Sequence, residues 1–214
     1  MACKAAYANK LSKWKTLKSD IENLNKKNKK YYKFVAINES KDEISLGNYK
    51  FKLFNVQQAF SGFSKYCKSY CCDDNVNSII ATAKNGNKYY YFAGDIQLYP
   101  EPDKKATAEQ KKKLNDNRNK HPLDLWVKNT KKYWKNTGFN VFKASHHGIT
   151  VYEGRVNNSI EAFGEAKPGI VIVTTSSKRN PLRKMIEEAE SKYGFSCKVY
   201  FTGTQHQRIN NNNI

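Results

Sequence analysis

The chain has 214 residues, of which 39% are hydrophobic and 13% aromatic, and this composition excludes a wholly disordered protein. No apolar run approaches the roughly 20 residues that cross a bilayer, and no secretory signal follows Met1, so we expect a cytoplasmic protein. Lys and Arg number 38 against 19 Asp and Glu, which gives a net charge of +19. This charge predicts a polyanionic partner such as nucleic acid, although codon bias explains the preference for Lys over Arg equally well.

The first half of the chain predicts one helix followed by two β-hairpins. Apolar residues recur every three or four positions between 9 and 28, which is the period of an amphipathic helix. Gly47-Asn48 and Asn85-Gly86-Asn87 are turn sequences between runs of β-forming residues, so each predicts a hairpin. Residues 57–75 are polar and predict a loop with a short helix. The predicted strands are Glu43–Leu46, Lys50–Val56, Asn77–Ala83 and Lys88–Ala93.

The second half predicts helices that alternate with strands. Ala106–Arg118 is nearly all polar and predicts a surface helix. The next segment predicts a second helix packed on a core through Leu125, Val127, Tyr133 and Trp134. Gly169–Thr175 is apolar and predicts a central strand. The remaining predicted elements are the strands Phe139–Ala144 and Cys197–Thr202 and the helices Ser159–Phe163 and Leu182–Lys192. Together the elements predict an α/β (α+β layered) fold, a mixed sheet with flanking helices.

Polar side chains follow three of the predicted strands. Asp95 comes after an aromatic strand and Gly94, a position that suits either an ordinary turn or a functional carboxylate. His146 and His147 follow the next strand, and on extended backbone they would point in opposite directions, so that one could bind a metal. Hydroxyl, Arg and Asn side chains follow the third strand, where they could support a site or cap a helix.

The cysteines give a weaker signal. Their number is odd and the spacing C-x3-C-C matches no standard zinc site, so we interpret them as free thiols, with a local metal site as the alternative. They are Cys3, Cys67, Cys71, Cys72 and Cys197.

The order of these segments resembles the metallo-β-lactamase fold, and most closely the hydrolase domain of the ComEC competence-protein type. The resemblance covers residues 43–202, the C-terminal half of an αββα sandwich. The matching segments are Asn77-Ser78-Ile79, Phe92-Ala93-Gly94-Asp95, Lys143-Ala144-Ser145-His146-His147-Gly148 and Lys167-Pro168.

The resemblance implies a metal-dependent hydrolase acting on a phosphodiester or another ester, with nucleic acid as a candidate substrate. It implies two divalent ions, zinc or manganese, in a complete domain. Asp95 would be a catalytic carboxylate that bridges the two ions, and His146 or His147 would ligate one of them. Weaker candidates for substrate contact are Ser145, Ser176 and Asn180.

The sequence departs from the family pattern in its metal ligands. The motif H-x-H-x-D-H is absent, because the only histidines are His121, His146, His147 and His206. The His-Pro of the ComEC type is also missing, since Asn180-Pro181 stands there. We therefore expect an incomplete site. The chain would be a fragment, one half of a split enzyme completed by a complementary N-terminal half or by self-association, or a degenerate module without catalysis.

A charged insertion supports the alternative function, a basic nucleic-acid-binding module. The insertion covers residues 98–136, where lysines with Trp126, Tyr133 and Trp134 nearby could bind a strand by charge and stacking. A solvated helix with its aromatics in the core is the competing interpretation. The predicted organisation is an N-terminal helix over 1–30, the half-domain over 31–209 and an Asn-rich tail over 210–214. The candidate nucleic-acid contacts are Lys104, Lys105, Lys111, Lys112, Lys113, Arg118 and Lys120.

Overall fold

The computed structural model describes residues 15–16, 19–20, 22–24, 26, 43–54, 78–98, 106–120, 123–152, 155–175 and 180–203, with backbone only at 113–114, 117–120, 152, 155 and 180. The chain divides into two compact units, Met1–Asn38 with Phe60–Asp73 and Glu39–Ala59 with Asp74–Ile214. In the first unit every described position is helical and exposed, in agreement with the helix predicted over 9–28. The second unit contains the sheet and all the elements named below.

A seven-stranded mixed sheet with the order β1-β2-β3-β4-β5-β8-β9 forms the centre of the second unit. The first four strands pair antiparallel as consecutive neighbours, whereas β4, β5, β8 and β9 run parallel. A separate two-stranded hairpin is formed by β6 and β7. The strands are β1 (Ile44–Leu46), β2 (Tyr49–Phe54), β3 (Ile80–Asn85), β4 (Lys88–Phe92), β5 (Val141–Lys143), β6 (Val151–Tyr152), β7 (Arg155–Val156), β8 (Ile170–Val173) and β9 (Lys198–Phe201).

Helices connect the parallel strands. Thr107 begins the first helix with a capping box, because Gln110 N donates to Thr107 Oγ1 at 3.3 Å and Thr107 N donates to Gln110 Oε1 at 2.9 Å. Ser159 caps the third helix by accepting from Ala162 N at 3.1 Å. No described helix combines the length and apolar composition of a membrane span. The helices are α1 (Ala108–Lys120), α2 (Leu123–Trp134), α3 (Ile160–Ala166) and α4 (Asn180–Tyr193).

The strands alternate their side chains between two apolar clusters, one on each face of the sheet. Tyr91 and Phe142 stack at 4.6 Å on the first face, where they share a buried cluster with residues of α2, α3 and α4. On the second face Tyr90, Val141 and Ile170 are buried together, with Tyr49 packed against them. Hydrophobic burial on both faces accounts for the apolar runs in β4 and β8.

The predicted fold class is confirmed, since a mixed sheet with flanking helices is observed. Both hairpins lie where the turn sequences predicted them. The predicted strand Phe139–Ala144 is shorter in the structure, where β5 covers only Val141–Lys143 and Phe139 N donates to Ala166 O at the end of α3. Helix α4 covers Asn180–Tyr193 and contains the predicted Leu182–Lys192, whereas the β6–β7 hairpin was not predicted. The predicted loop over 57–75 lies outside the described residues.

Candidate active site

Three loops meet at the carboxyl edge of the sheet, because β4, β5 and β8 are adjacent and parallel. His146 N donates to Gly94 O at 3.1 Å, which joins the loop after β5 to the loop after β4. His147 Nδ1 lies 3.0 Å from Thr174 Oγ1, which joins it to the loop after β8. The structure therefore brings the Asp95 loop, both histidines and a hydroxyl group together. Ser176 lies outside the described residues. Asn180 is the first residue of α4, and only its backbone is described.

Asp95 is positioned by a turn that requires glycine. Gly94 has φ of +58°, and a Cβ at this position would lie 2.9 Å from Ile79 O. The backbone N–H of Asp95 then donates to Ser78 Oγ at 3.3 Å. Ser78 and Ile79, directly before β3, thus hold the turn that carries the half-buried carboxylate.

The two histidines occupy a tight turn, which corrects the extended backbone expected from the sequence. His146 and His147 have φ of +44° and +55°, in the left-handed region that residues with a Cβ rarely adopt. Each such residue costs about 1–2 kcal/mol, and conformations of this kind are concentrated at functional sites. Bonds from Gly148 N to Ser145 O and from Ile149 N to His146 O, of 2.8 and 3.0 Å, close the turn.

The two imidazoles have different partners, and this distinguishes their chemistry. His146 Nδ1 lies 3.0 Å from Asn157 Nδ2, which also donates to Gln97 Oε1 at 3.1 Å. The imidazole of His146 is therefore held at Nδ1 by the side chain of Asn157. The hydroxyl of Thr174 can accept from His147 Nδ1, which leaves a lone pair on His147 Nε2 for a metal ion. His147 is also the exposed member of the pair.

Lys143 is a residue of this site that the sequence reasoning missed. Its half-buried ammonium group donates to Gly94 O at 3.1 Å and to Ala144 O at 3.2 Å, so it joins the loops after β4 and β5. Burial lowers the pKa of Lys143, and the negative charge of Asp95 acts in the opposite direction. The only indication of this role in the sequence was the position of Lys143 directly before the Ala-Ser-His-His segment.

Ser145 has its hydroxyl engaged inside the loop. Ser145 Oγ donates to Ile96 O at 2.5 Å, and the residue is 2% exposed. Its backbone N–H donates to Asn158 Oδ1 at 3.0 Å, and Asn158 Nδ2 donates back to Ser145 O at 3.0 Å. Ser145 was predicted as a substrate contact, but in the structure it positions the histidine turn.

The described residues were compared with the ligand set that a metal ion requires. Within them, no group of three or more His, Cys, Asp and Glu side chains is arranged to hold a metal ion. Asp95 and His147 offer a carboxylate and an imidazole at neighbouring loops, which suits a divalent ion but leaves further ligands to be supplied. Cys197 is not suited to this role, because burial, together with Glu190, raises the pKa of its thiol to about 12. Cys67, Cys71 and Cys72 lie outside the described residues.

The predicted nucleic-acid contacts are placed only in part. Lys112 is exposed and Lys111 half-buried on α1, whose backbone also carries Lys113, Arg118 and Lys120. Lys104 and Lys105 lie outside the described residues. The indole of Trp134 is buried and donates from Nε1 to Thr82 Oγ1 at 2.8 Å, so it belongs to the core. Trp134 is therefore not available for stacking on a base.

Comparison of the chain with models of known protein families finds no match, and comparison with curated proteins finds no significant one. The interpretation of the site consequently rests on its residues and their geometry.

Proposed function

We propose that this chain provides the strand-edge half of a metal-dependent hydrolase site of the metallo-β-lactamase type, ComEC-like, acting on a phosphodiester or another ester. One observation carries the proposal: the Asp95 loop, the strained histidine turn and Thr174 are joined by hydrogen bonds at the carboxyl ends of three adjacent strands. These strand ends are where α/β sheets commonly bind ligands. The order of the segments along the chain matches the resemblance described above.

The described residues have distinct roles in this proposal. Asp95 and His147 Nε2 would hold a divalent ion, zinc or manganese. When bound, the ion supplies Lewis acidity and a water of lowered pKa. Asn157 holds the imidazole of His146 at Nδ1, and Lys143 fixes the two loops against each other. Further ligands come from the rest of this chain, from a complementary chain or from a second copy.

Zinc binding tests the assignment of the ligands. We expect Asp95→Asn and His147→Gln each to weaken Zn²⁺ binding by at least about tenfold in calorimetric titration, because each removes a direct ligand. His146→Gln should have a smaller effect, since His146 Nδ1 is occupied by Asn157. Asp116→Asn on the exposed surface of α1 is the matched control and should leave the affinity unchanged.

Activity and metal content complete the test. Hydrolysis of bis(p-nitrophenyl) phosphate should require Zn²⁺ or Mn²⁺ and should be lost in Asp95→Asn. Elemental mass spectrometry of the purified chain should find less than a full pair of metals when no partner is present. If Zn²⁺ binds equally well to the unmodified protein, to Asp95→Asn and to His147→Gln, the strand-edge site is the wrong one.

A second candidate function, nucleic-acid binding without catalysis, is favoured by the net charge of +19 and by the polar helix α1. Every described side chain of α1 is exposed or half-buried, so Lys111 and Lys112 are accessible to a phosphate backbone. Such a partner would be met in the cytoplasm, the location that the sequence predicts. A chelator separates the two functions, because it abolishes metal-dependent hydrolysis and leaves charge-based binding intact.

A further inference from the structure

The histidine turn, residues 145–149, contains three consecutive residues with a left-handed backbone. His146, His147 and Gly148 have φ of +44°, +55° and +77°. Residues with a Cβ visit this region singly, because the Cβ of each left-handed residue crowds the following carbonyl oxygen. A strained backbone of this kind persists only where the surrounding structure determines it. The contacts that hold the turn are therefore part of the candidate active site.

The side chain of Asn158 binds both ends of the histidine turn. Asn158 Oδ1 accepts from Ser145 N at 3.0 Å, while Asn158 Nδ2 donates to Ser145 O at 3.0 Å and to Ile149 O at 2.7 Å. Asn158 is 3% exposed, so water does not compete for these bonds. A single buried amide thus uses its acceptor and both of its donors on the backbone of the first and last residues of the turn.

Asn158 is itself carried by regular structure on both sides. Val156, two residues earlier, lies in β7, and its carbonyl oxygen accepts from Leu98 N at 2.8 Å. Ser159, the next residue, caps α3 by accepting from Ala162 N. A side chain that is presented by a strand and a helix in this way can hold a functional loop in one geometry.

The conformation of the turn decides where the two imidazoles lie. On extended backbone, adjacent side chains point to opposite sides, whereas here the ring centroids of His146 and His147 are 6.1 Å apart. In this arrangement His147 Nδ1 lies 3.0 Å from Thr174 Oγ1, and His146 N donates to Gly94 O. A return of the turn to extended backbone would break both contacts and move His147 away from the loop of Asp95.

We propose that Asn158 is a positioning residue of the candidate metal site. It holds the left-handed histidine turn and thereby keeps His147 in place to bind a divalent ion beside Asp95. All three of its side-chain bonds go to backbone atoms, so it acts through the turn and not as a ligand. The effect on metal binding rests on the proposed function, whereas the effect on the backbone of the turn does not.

The first experiment observes the turn by NMR in the metal-free protein. A residue with positive φ gives a strong NOE between its own amide and Hα protons. We expect this signal at His146 and His147 in the unmodified protein and its loss in Asn158→Ala. Asn157→Ala is the matched control and should keep the signal, because Asn157 is also buried but its side chain binds Gln97 and the ring of His146. An unchanged signal in Asn158→Ala would overturn the proposal.

The second experiment measures Zn²⁺ binding by calorimetric titration. Substitutions behind a metal ligand typically weaken binding by about 10–100-fold, so we expect at least about a tenfold loss in Asn158→Ala. Asn158→Asp keeps the acceptor for Ser145 N and removes both donors, and it should show the same loss even if the alanine variant does not fold. The control Asn157→Ala should lose less. Equal affinity of the unmodified protein and both Asn158 variants would overturn the proposal. A lack of Zn²⁺ binding to the unmodified protein would contradict the proposed function, and the NMR signal would still decide the role of Asn158 in the turn.

A glycine variant separates backbone strain from a general loss of structure. Glycine adopts positive φ without steric cost, so the turn in His146→Gly depends less on the support of Asn158. We expect Asn158→Ala to weaken Zn²⁺ binding by less than about threefold in the His146→Gly background, against at least about tenfold in the unmodified background. Equal losses in the two backgrounds would mean that Asn158 does not act through the left-handed backbone, and would overturn the proposal.

Discussion

Gly148 ends the histidine turn with φ of +77° and packs directly against the core. A Cβ at this position would lie 2.4 Å from Val173 Cγ1 and 2.8 Å from Leu182 Cδ2, both in the buried core cluster. Neither neighbour is at the end of a long flexible chain, so a substitution must displace β8 or α4. Gly148 therefore couples the geometry of His146 and His147 to the packing of the sheet.

We expect Gly148→Ala to lower the free energy of unfolding by about 2–4 kcal/mol, from the left-handed backbone and the overpacked core together. Gly86→Ala is the matched control, because Gly86 has φ of +58° but nothing lies within 4 Å of its would-be Cβ. The control should cost only about 1–2 kcal/mol. Urea denaturation of the three proteins provides the measurement. Equal losses in the two variants would mean that the contact with Val173 and Leu182 is relieved without cost.

At the scale of elements, a single hydrogen bond connects α2 to the residue before β1. Tyr133 Oη donates to Glu43 Oε1 at 2.7 Å. Burial, reinforced by the bond to Glu43, raises the pKa of Tyr133 to about 12. The same bond is the main cause that lowers the pKa of Glu43. Both shifts mean that folding favours protonated Tyr133 beside ionised Glu43.

The stabilisation by this bond should therefore decrease at high pH and at low pH. The raised pKa of Tyr133 gives stability that is complete below about pH 10 and is lost as the pH rises to about 12. The lowered pKa of Glu43 gives stability that is lost as the pH falls below about 4.5. We expect Tyr133→Phe to cost about 0.5–1 kcal/mol near pH 7, because the bond is partly exposed. Denaturation near pH 7 and pH 11.5 should show this difference shrinking. A constant difference would contradict the assignment.

The elements with a strong local pattern could be predicted from the sequence. The Gly47-Asn48 and Asn85-Gly86-Asn87 turns and the apolar run of β8 were sufficient to place the hairpins and a central strand. The β6–β7 hairpin has two residues in each strand, too few for a periodic pattern. The left-handed backbone of the histidines was also missed, because it depends on contacts with Gly94, more than 50 positions earlier.

In the candidate site, too, local features could be predicted from the sequence, whereas long-range side-chain contacts could not. The meeting of Asp95 with His146 and His147 follows from strand order, which the resemblance supplied. The bond of His147 to Thr174 joins residues 27 positions apart, and that of Lys143 to Gly94 joins residues 49 apart. Side-chain contacts of this range leave no periodic signal, so the sequence alone did not distinguish the two histidines.

At the scale of the whole molecule, the second unit presents two chemically different edges. The carboxyl ends of the parallel strands carry the carboxylate and the imidazoles, and the amino ends border a cleft with cations and amides. The whole chain carries a net charge of +19, which favours encounters with polyanions. In the proposed function a nucleic-acid strand would meet Asp95 and His147 at one edge only, so binding and hydrolysis should respond to different perturbations.

We expect a single-stranded oligonucleotide to bind with an affinity that falls steeply with salt, because each neutralised phosphate releases a counterion and contributes about −0.7 to the slope of log K against log salt. Lys111→Gln/Lys112→Gln should make this slope shallower by about 1–1.4, whereas Asp95→Asn should leave it unchanged. EDTA should abolish hydrolysis of the strand without altering its affinity. Fluorescence anisotropy over a series of salt concentrations provides the measurement. A slope near zero would mean that the positive charge has no role in binding, and an affinity lost in EDTA would mean that the metal edge itself holds the strand.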